Sequence, residues 1–280
     1  MRVTNRRGRW ARSGMPRQPV GNRGRLVFAF TDSRGGSVTA LDLSPQHQLN
    51  SEAMGSGVSI VPCCHGMWGW RGDGTTNTWI RLRSSTGAAP IDPLIGDGSA
   101  TGEFTLAAWV KVTNFTDNRT IYGETSGISA SSVGAICEIA ITTGLVRNLY
   151  YNGGYPYVES ASAIPTDTWT HCAWTRGPSG RSCYINGVQN GTTSDTGTPN
   201  SCGGCSLLGS WNGTSTSFYR NFLGDCCGVL AFNRDMGPGF IKMLYQQPWS
   251  FGRRLKQGLA STGSGGGGGT GARSFFPGYF

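Results

Sequence analysis

The side chains able to do chemistry are few and unevenly grouped. Nine cysteines occur, among them Cys63-Cys64 followed by His65, Cys202-Gly203-Gly204-Cys205, and Cys226-Cys227. A C-x-x-C pair ligates zinc when two further ligands complete a tetrahedron. Adjacent cysteines rarely share one structural ion, and an odd count cannot pair fully within one chain. Three readings stay open: free thiols that pack as small apolar residues, a partial set of disulfides, and zinc. His47, His65 and His171 lack zinc-protease spacing, and no G-x-S-x-G elbow occurs. His171 falls mid-strand and reads as a packed or hydrogen-bonded side chain. No enzyme is expected. Sugar binding needs exposed aromatic faces beside amides. Two loop-like stretches supply them, Tyr150–Tyr157 with four tyrosines, and Trp211-Asn212-Gly213. Tyr151, Tyr155, Trp211 and Asn212 are the candidate carbohydrate contacts. Arg71-Gly72-Asp73 matches an adhesion tripeptide by coincidence. The Asn-x-Ser/Thr strings at Asn114, Asn118, Asn190 and Asn212 would matter only on a secretory route.

The elements that must hold these residues are strands. Of 280 residues, 45 are Gly and 11% are aromatic. So much Gly argues against a helix bundle, because each costs roughly 1 kcal/mol inside a helix. So many aromatics argue against a disordered chain. Short β-prone runs begin at Leu26–Phe30 and continue through Met67–Trp70, Thr78–Leu82, Phe104–Val112, Ile136–Thr142 and Val146–Tyr151. They resume at Thr168–Thr175, Ser182–Ile185, Ser206–Trp211 and Gly228–Phe232, with Gly, Asn, Asp and Ser between them. Asn186-Gly187 predicts a tight hairpin, since both residues accept positive φ. One helix is predicted: Pro238 suits a first helical position, Phe240, Ile241, Leu244 and Tyr245 follow at helical spacing, and Pro248 ends the run. A dozen short strands with turns between them predict a β-sandwich.

Charge divides the chain. Residues 1–25 hold eight Arg and residues 251–280 hold four more basic residues, with no acid in either segment. The middle has 12 basic and 15 acidic residues, so the net charge of +9 belongs to the ends. Residues 1–24 read as an extended Arg-rich arm, 25–251 as the folded body, and 252–280 as a Gly-rich linker with an aromatic tail. Arg6, Arg7, Arg9, Trp10 and Arg12, with Phe275, Phe276, Tyr279 and Phe280, are the candidate partner contacts. Arg forks suit carboxylates and phosphates alike, but no folded nucleic-acid motif accompanies them, so protein docking is expected over nucleic acid. No apolar run reaches the roughly 18 residues of a membrane span. No signal-peptide stretch opens the chain, and no membrane partner is expected.

Three segments resemble a known family, the laminin G-like and concanavalin A-like jelly rolls. They are Gly102–Lys111 (GEFTLAAWVK), Trp169–Thr175 (WTHCAWT) with Ser182–Val188 (SCYINGV), and Phe222–Asp225 (FLGD) with Val229–Arg234 (VLAFNR). Leu26–Ser44 and Trp70–Gly74 are similar more loosely. The resemblance covers about residues 25–250. It implies an all-β, two-sheet antiparallel jelly-roll sandwich with one short C-terminal helix between extended N- and C-terminal arms. Some relatives are glucanases, but the E-x-D-x-x-E string that places their two carboxylates is absent. Calcium is common at the rim of such sandwiches. Asp73 and Asp225 lie nearest the family's acidic positions and are the candidate ligands. Turn capping is the alternative for Asp73, given Gly74 beside it. No other cofactor is implied.

The ending Ile241–Phe251 (IKMLYQQPWSF) resembles that of laminin G-like proteins encoded by tailed bacteriophages. This implies a virion structural protein assembled in the host cytoplasm. The expected role is capsid decoration: the termini hold major capsid or other virion subunits, and the protein is present in many copies or as a homo-oligomer. Two alternatives are carried, a carbohydrate-binding host-recognition module of a tail or fibre, and a secreted lectin-like protein.

Overall fold

Phe104–Val112 shows why the chain folds as it does. Its nine residues, FTLAAWVKV, are almost all buried, with Leu106, Ala108, Val110 and Val112 in the main core and Ala107 and Trp109 in separate clusters on the other face. A strand covered on both faces reads as a continuous apolar run rather than an alternating one. The computed structural model describes residues 26–31, 41–42, 49–84, 102–125, 133–197, 199, 205–211 and 218–248.

The strands are, in order, Leu26–Thr31 (β1), Leu41–Asp42 (β2), Leu49–Met54 (β3), Val58–Pro62 (β4), Trp68–Asp73 (β5) and Ile80–Ser84 (β6). Phe104–Val112 (β7), Arg119–Thr125 (β8), Val133–Ile139 (β9), Leu145–Tyr150 (β10), Tyr157–Ala163 (β11) and Thr170–Gly177 (β12) follow. The last are Gly180–Ile185 (β13), Val188–Thr193 (β14), Cys205–Leu207 (β15), Ser210–Trp211 (β16), Phe218–Tyr219 (β17) and Leu223–Phe232 (β18). One helix, Gly237–Gln246 (α1), comes after them, with Pro in its first turn as expected.

Two antiparallel layers face each other. One runs β5-β18-β7-β12-β13-β14; the other runs β11-β10-β9-β8-β15-β6, and hydrogen bonding continues from it through β3, β2 and β1 to β18. The layers meet through side chains as well as apolar packing. Trp174 Nε1 in β12 donates to Arg147 O in β10 at 3.0 Å, and Cys183 Sγ in β13 donates to Val158 O in β11 at 3.6 Å. The core between them is built from Trp70, Ile80, Phe104, Ile121, Val146 and Trp174. Along one side the seam is tight: a Cβ on Gly191 of β14 would fall 1.9 Å from the Glu159 carbonyl of β11. Helix α1 lays Ile241 and Leu244 on the outer face of the first layer, over Ala107, Ala173, Tyr184 and Phe232.

Local expectations meet the structure unevenly. Asn186 and Gly187 do turn β13 into β14 with φ of 49° and 78°. The run Ser206–Trp211, expected as one strand, is broken because Leu208 takes φ of 60° and links β8 to the segment before β18, its N–H donating to Ile121 O and its carbonyl accepting from the Phe222 N–H. Strands β3, β4, β8, β11 and β14 were not expected. Most of them are short, polar, or paired on edges, where the alternating signal is weak.

Candidate functional site

The tyrosine-rich loop is the connection between β10 and β11. Leu149 pairs with Tyr157 across the hairpin, so Tyr151 stands opposite Tyr155. Side chains alternate faces along a strand. Tyr150 therefore turns inward while Tyr151, Tyr155 and Tyr157 turn outward. The rings of Tyr151 and Tyr155 lie 5.1 Å apart and tilted by 57°. Tyr155 and Tyr157 are half or more exposed, at 50% and 57%. Beneath them Tyr151 packs on Leu149 and Ile136. Gly153 and Gly154 between them have open space where a Cβ would stand, and Gly153 has φ of 102°, which glycine allows without strain.

A buried polar network holds this loop from inside. The Tyr150 hydroxyl donates to Asp195 (2.8 and 2.9 Å to its two oxygens), and the Arg181 guanidinium lies 4.4 Å above the Tyr150 ring. Arg181 Nη2 donates to Asp195 Oδ2 at 2.7 Å, and its Nη1 donates to Asn148 O, Asn148 Oδ1 and, at 3.4 Å, to Pro156 O within the loop. The Gly197 N–H donates to Asp195 Oδ1, and Arg176 donates to the Thr196 and Gly197 carbonyls. Burial raises the Asp195 carboxyl, but the Gly197, Tyr150 and Arg181 contacts outweigh it and hold the group below the ordinary value. Burial first, then donation to Asp195, pushes Tyr150 up to about 12. Burial also lowers Arg181, which its anionic neighbours oppose. The Arg181–Asp195 pair is fully buried on the Arg181 side and 30% exposed at Asp195. A largely buried ion pair fixes geometry, and breaking it from one side is costly. Here it holds, through Tyr150 and Pro156, the loop that carries the Tyr151 and Tyr155 rings.

A cleft of about 460 Å³ lies between β4–β5 and β18–β7. Ser59, Arg71, Asp73, Lys111, Asp167 and Asp225 border it. The two carboxylates expected near a metal thus reach one cleft. Asp225 accepts Arg71 Nε at 2.6 Å and Nη2 at 2.9 Å, and Lys111 Nζ stands 3.8 Å away. Asp73 Oδ1 accepts the Thr75 N–H and hydroxyl and the Thr78 hydroxyl. Burial raises Asp73, but these hydrogen bonds lower it further than burial lifts it. That is the turn-capping arrangement. Among the described residues no group of three or more His, Cys, Asp and Glu side chains is placed to hold a metal ion.

The other expected site residues separate. His171 is 2% exposed, between Trp109 at 5.3 Å and Tyr245 at 6.0 Å, and burial lowers it to about 4. Eight cysteines among the described residues are free thiols; Cys202 lies outside them. Trp211 is placed only as backbone, paired with Phe218. Asn212 lies outside the described residues, as do Arg6, Arg7, Arg9, Trp10, Arg12, Phe275, Phe276, Tyr279 and Phe280. Sequence reasoning missed Arg181 and Asp195. The available signal was parity: Arg181 shares the inward face of β13 with Cys183, and a charged residue at an inward position needs a partner.

The comparisons with known proteins agree with this architecture. No curated protein sequence matches the chain. Among solved structures, the binding domain of Paraclostridial Mosquitocidal Protein 1 superposes with a TM-score of 0.59 at 15% identity, over 80% of this chain and 52% of that one. The Botulinum neurotoxin serotype G binding domain gives 0.58 at 15% identity, over 81% and 52%. The chain thus spans about half the length of these toxin domains. Domain 4 of AbnA, a GH43 extracellular arabinanase from Geobacillus stearothermophilus, solved with arabinotriose, gives 0.52 at 16% identity, over 80% of this chain and all of that one. These likenesses are likenesses of fold. A laminin G-like family model, described as the concanavalin A-like lectin/glucanases superfamily, matches residues 93–239. The chain belongs to the concanavalin A-like lectin/glucanases superfamily.

Proposed function

We propose that this chain is a non-enzymatic glycan-binding module whose contact surface is the outward face of the β10–β11 loop. One observation carries the reading: Tyr151 and Tyr155 stand 5.1 Å apart at an exposed loop, held by a buried network. Sugar rings present flat C–H faces, and rigid aromatics stack on them at low entropic cost. Family membership supports the reading, as does a fold shared with an arabinanase domain solved with an arabinose oligosaccharide. The two fully buried glutamates are engaged elsewhere, Glu124 with the Tyr122 hydroxyl and Glu138 between Arg147 and Arg220. Neither is offered to a substrate. A glycan array with the full chain, repeated with Tyr155→Ala and Tyr151→Ala, tests the proposal. Binding should fall at least about tenfold in each variant, with melting unchanged for the exposed Tyr155 and slightly lowered for Tyr151, which is half-buried on Leu149 and Ile136. Failure to bind any glycan, or wild-type binding by both variants, refutes it.

The uneven charge supports a second reading about attachment. The ends carry twelve basic residues and no acid, while residues 26–250 are net acidic. We propose that the arms 1–24 and 252–280 tether the body to subunits of a virion, each weak contact raising the effective concentration of the other. Deleting residues 1–24 should abolish incorporation into particles and leave the body folded. Normal incorporation of that deletion defeats the proposal.

A further inference from the structure

The turn between β4 and β5 carries Cys63 and Cys64 over β18, where Cys227 stands. Cys64 Sγ lies 3.9 Å from Cys227 Sγ, although 163 positions separate them in sequence. Cys63 reaches the same place. Gly69 pairs with Cys227, and a Cβ on it would fall 2.8 Å from Cys63 Sγ and 2.5 Å from Cys227 Cβ. Only a glycine leaves room for these side chains to close over β5. Three thiols therefore share one patch, packed with Met67 and Trp109 on the sheet face away from the main core. Cys63 and Cys64 are half-buried and Cys227 is buried. The remaining described cysteines differ: Cys137, Cys172, Cys183, Cys205 and Cys226 all lie in the main core.

We propose that Cys64 and Cys227 are a thiol–disulfide exchange pair, with Cys63 as a third thiol that can take the place of Cys64. The oxidant is a low-molecular-weight disulfide. Cys64 meets it first, being half-exposed at a turn. The Cys227 hydrogen bond also lowers the Cys64 thiol against the opposing effect of burial, whereas Cys227 is raised by its bonds to both partners. The Cys64 thiolate attacks one sulfur of the small disulfide, forming a mixed disulfide and expelling one small thiol. Cys227 then attacks Cys64 Sγ, loses its proton to solvent, and expels the second small thiol. Two protein thiols lose two electrons and two protons, and one small disulfide becomes two thiols. The sulfurs must close from 3.9 Å to about 2 Å for the bond to form. A bond between neighbours Cys63 and Cys64 is disfavoured, since consecutive Cα atoms lie about 3.8 Å apart, below the usual disulfide range. The new bond would pin the tip of the β4–β5 hairpin, whose other end borders the charged cleft. The inference is independent of the glycan reading.

The test uses the full chain, reduced, then equilibrated at graded ratios of reduced to oxidised glutathione, alkylated and digested without reduction. Peptide mass spectrometry should find Cys64 linked to Cys227 with the loss of two hydrogens. The melting midpoint should rise by roughly 5–10 °C and return on addition of dithiothreitol. Cys63→Ser should keep the link, and Cys64→Ser should move it to Cys63 and Cys227. The proposal is overturned if wild-type Cys64 and Cys227 stay alkylatable at every ratio. Accumulation of only the glutathione adduct on Cys64, or a link from Cys64 to a core cysteine, overturns it equally.

Discussion

Replacing Asp195 with Ala should loosen the tyrosine loop and cost the protein about 3 kcal/mol. The carboxylate accepts from Tyr150 Oη, Arg181 Nη2 and the Gly197 N–H at 2.7–2.9 Å. Without it, a buried hydroxyl loses its acceptor, worth about 1–3 kcal/mol, and a buried guanidinium loses its counter-charge, worth about 3–5 kcal/mol. Two facts lower the total. Asp195 is 30% exposed, so water screens part of the pair, and Arg181 keeps its bonds to Asn148 and Pro156. For a body of this size, about 3 kcal/mol corresponds to a drop in melting midpoint of roughly 6–12 °C. Urea denaturation of the wild type and the variant at pH 7 measures it, and a second series at falling pH tests its origin. The Asp195 carboxyl is held below its ordinary value of 3.8, so its contribution is complete above about pH 4 and is lost as pH falls through the lower folded value. The gap between the two proteins should therefore narrow only in strong acid. Tyr150→Phe should cost less, about 1 kcal/mol, and be non-additive with Asp195→Ala. A loss below about 1 kcal/mol for Asp195→Ala, or a gap already closing at pH 6, would show that the network does not position the loop.

His171 supplies a second pH signature. Its folded value is about 4 against 6.5 unfolded, because burial disfavours the imidazolium, so stability is complete above about pH 6.5 and declines as pH falls towards 4. The decline should be on the order of 3 kcal/mol and absent in His171→Gln; an imidazole that titrates near 6.5 by NMR contradicts this. Gly191→Ala should cost about 2–3 kcal/mol, since its Cβ would meet the Glu159 carbonyl at 1.9 Å, whereas Gly154→Ala, with nothing within 4 Å, should stay within about 0.5 kcal/mol. Equal melting of those two variants would contradict the tight β11–β14 seam. Asp225→Asn should leave stability within about 1 kcal/mol, because its Arg71 partner is 55% exposed; a larger loss in chemical denaturation would make the cleft a stabilising element.

Several readings depended on chemistry confined to a few neighbouring residues, and these were legible. Asn186-Gly187 turns because both residues tolerate positive φ. Pro238 opens a helix because its missing N–H is not needed in the first turn. The run Phe104–Val112 announces a buried strand with its bounds intact. Tyr157–Ala163 was illegible for the converse reason. YVESASA buries only Val158 and Ser160 fully, and its polar residues read as a loop.

The amino-acid order by itself determined the β-sandwich class, the helix that Pro238 opens and the presence of a tyrosine-rich loop, each written in local spacing and composition. The family showed in the resemblance of three strand-bearing segments. Only the tertiary structure decided which distant residues meet. Arg181, Asp195 and Tyr150 converge from three separate segments, and Cys64 touches Cys227 across 163 positions. Asp73 and Asp225 reach one cleft, yet Asp225 is given to Arg71 and Asp73 to threonines. The physical reason is that strand pairing and layer stacking are long-range. A one-residue change of register would turn every side chain of a strand to the other face while leaving its local sequence signals unchanged.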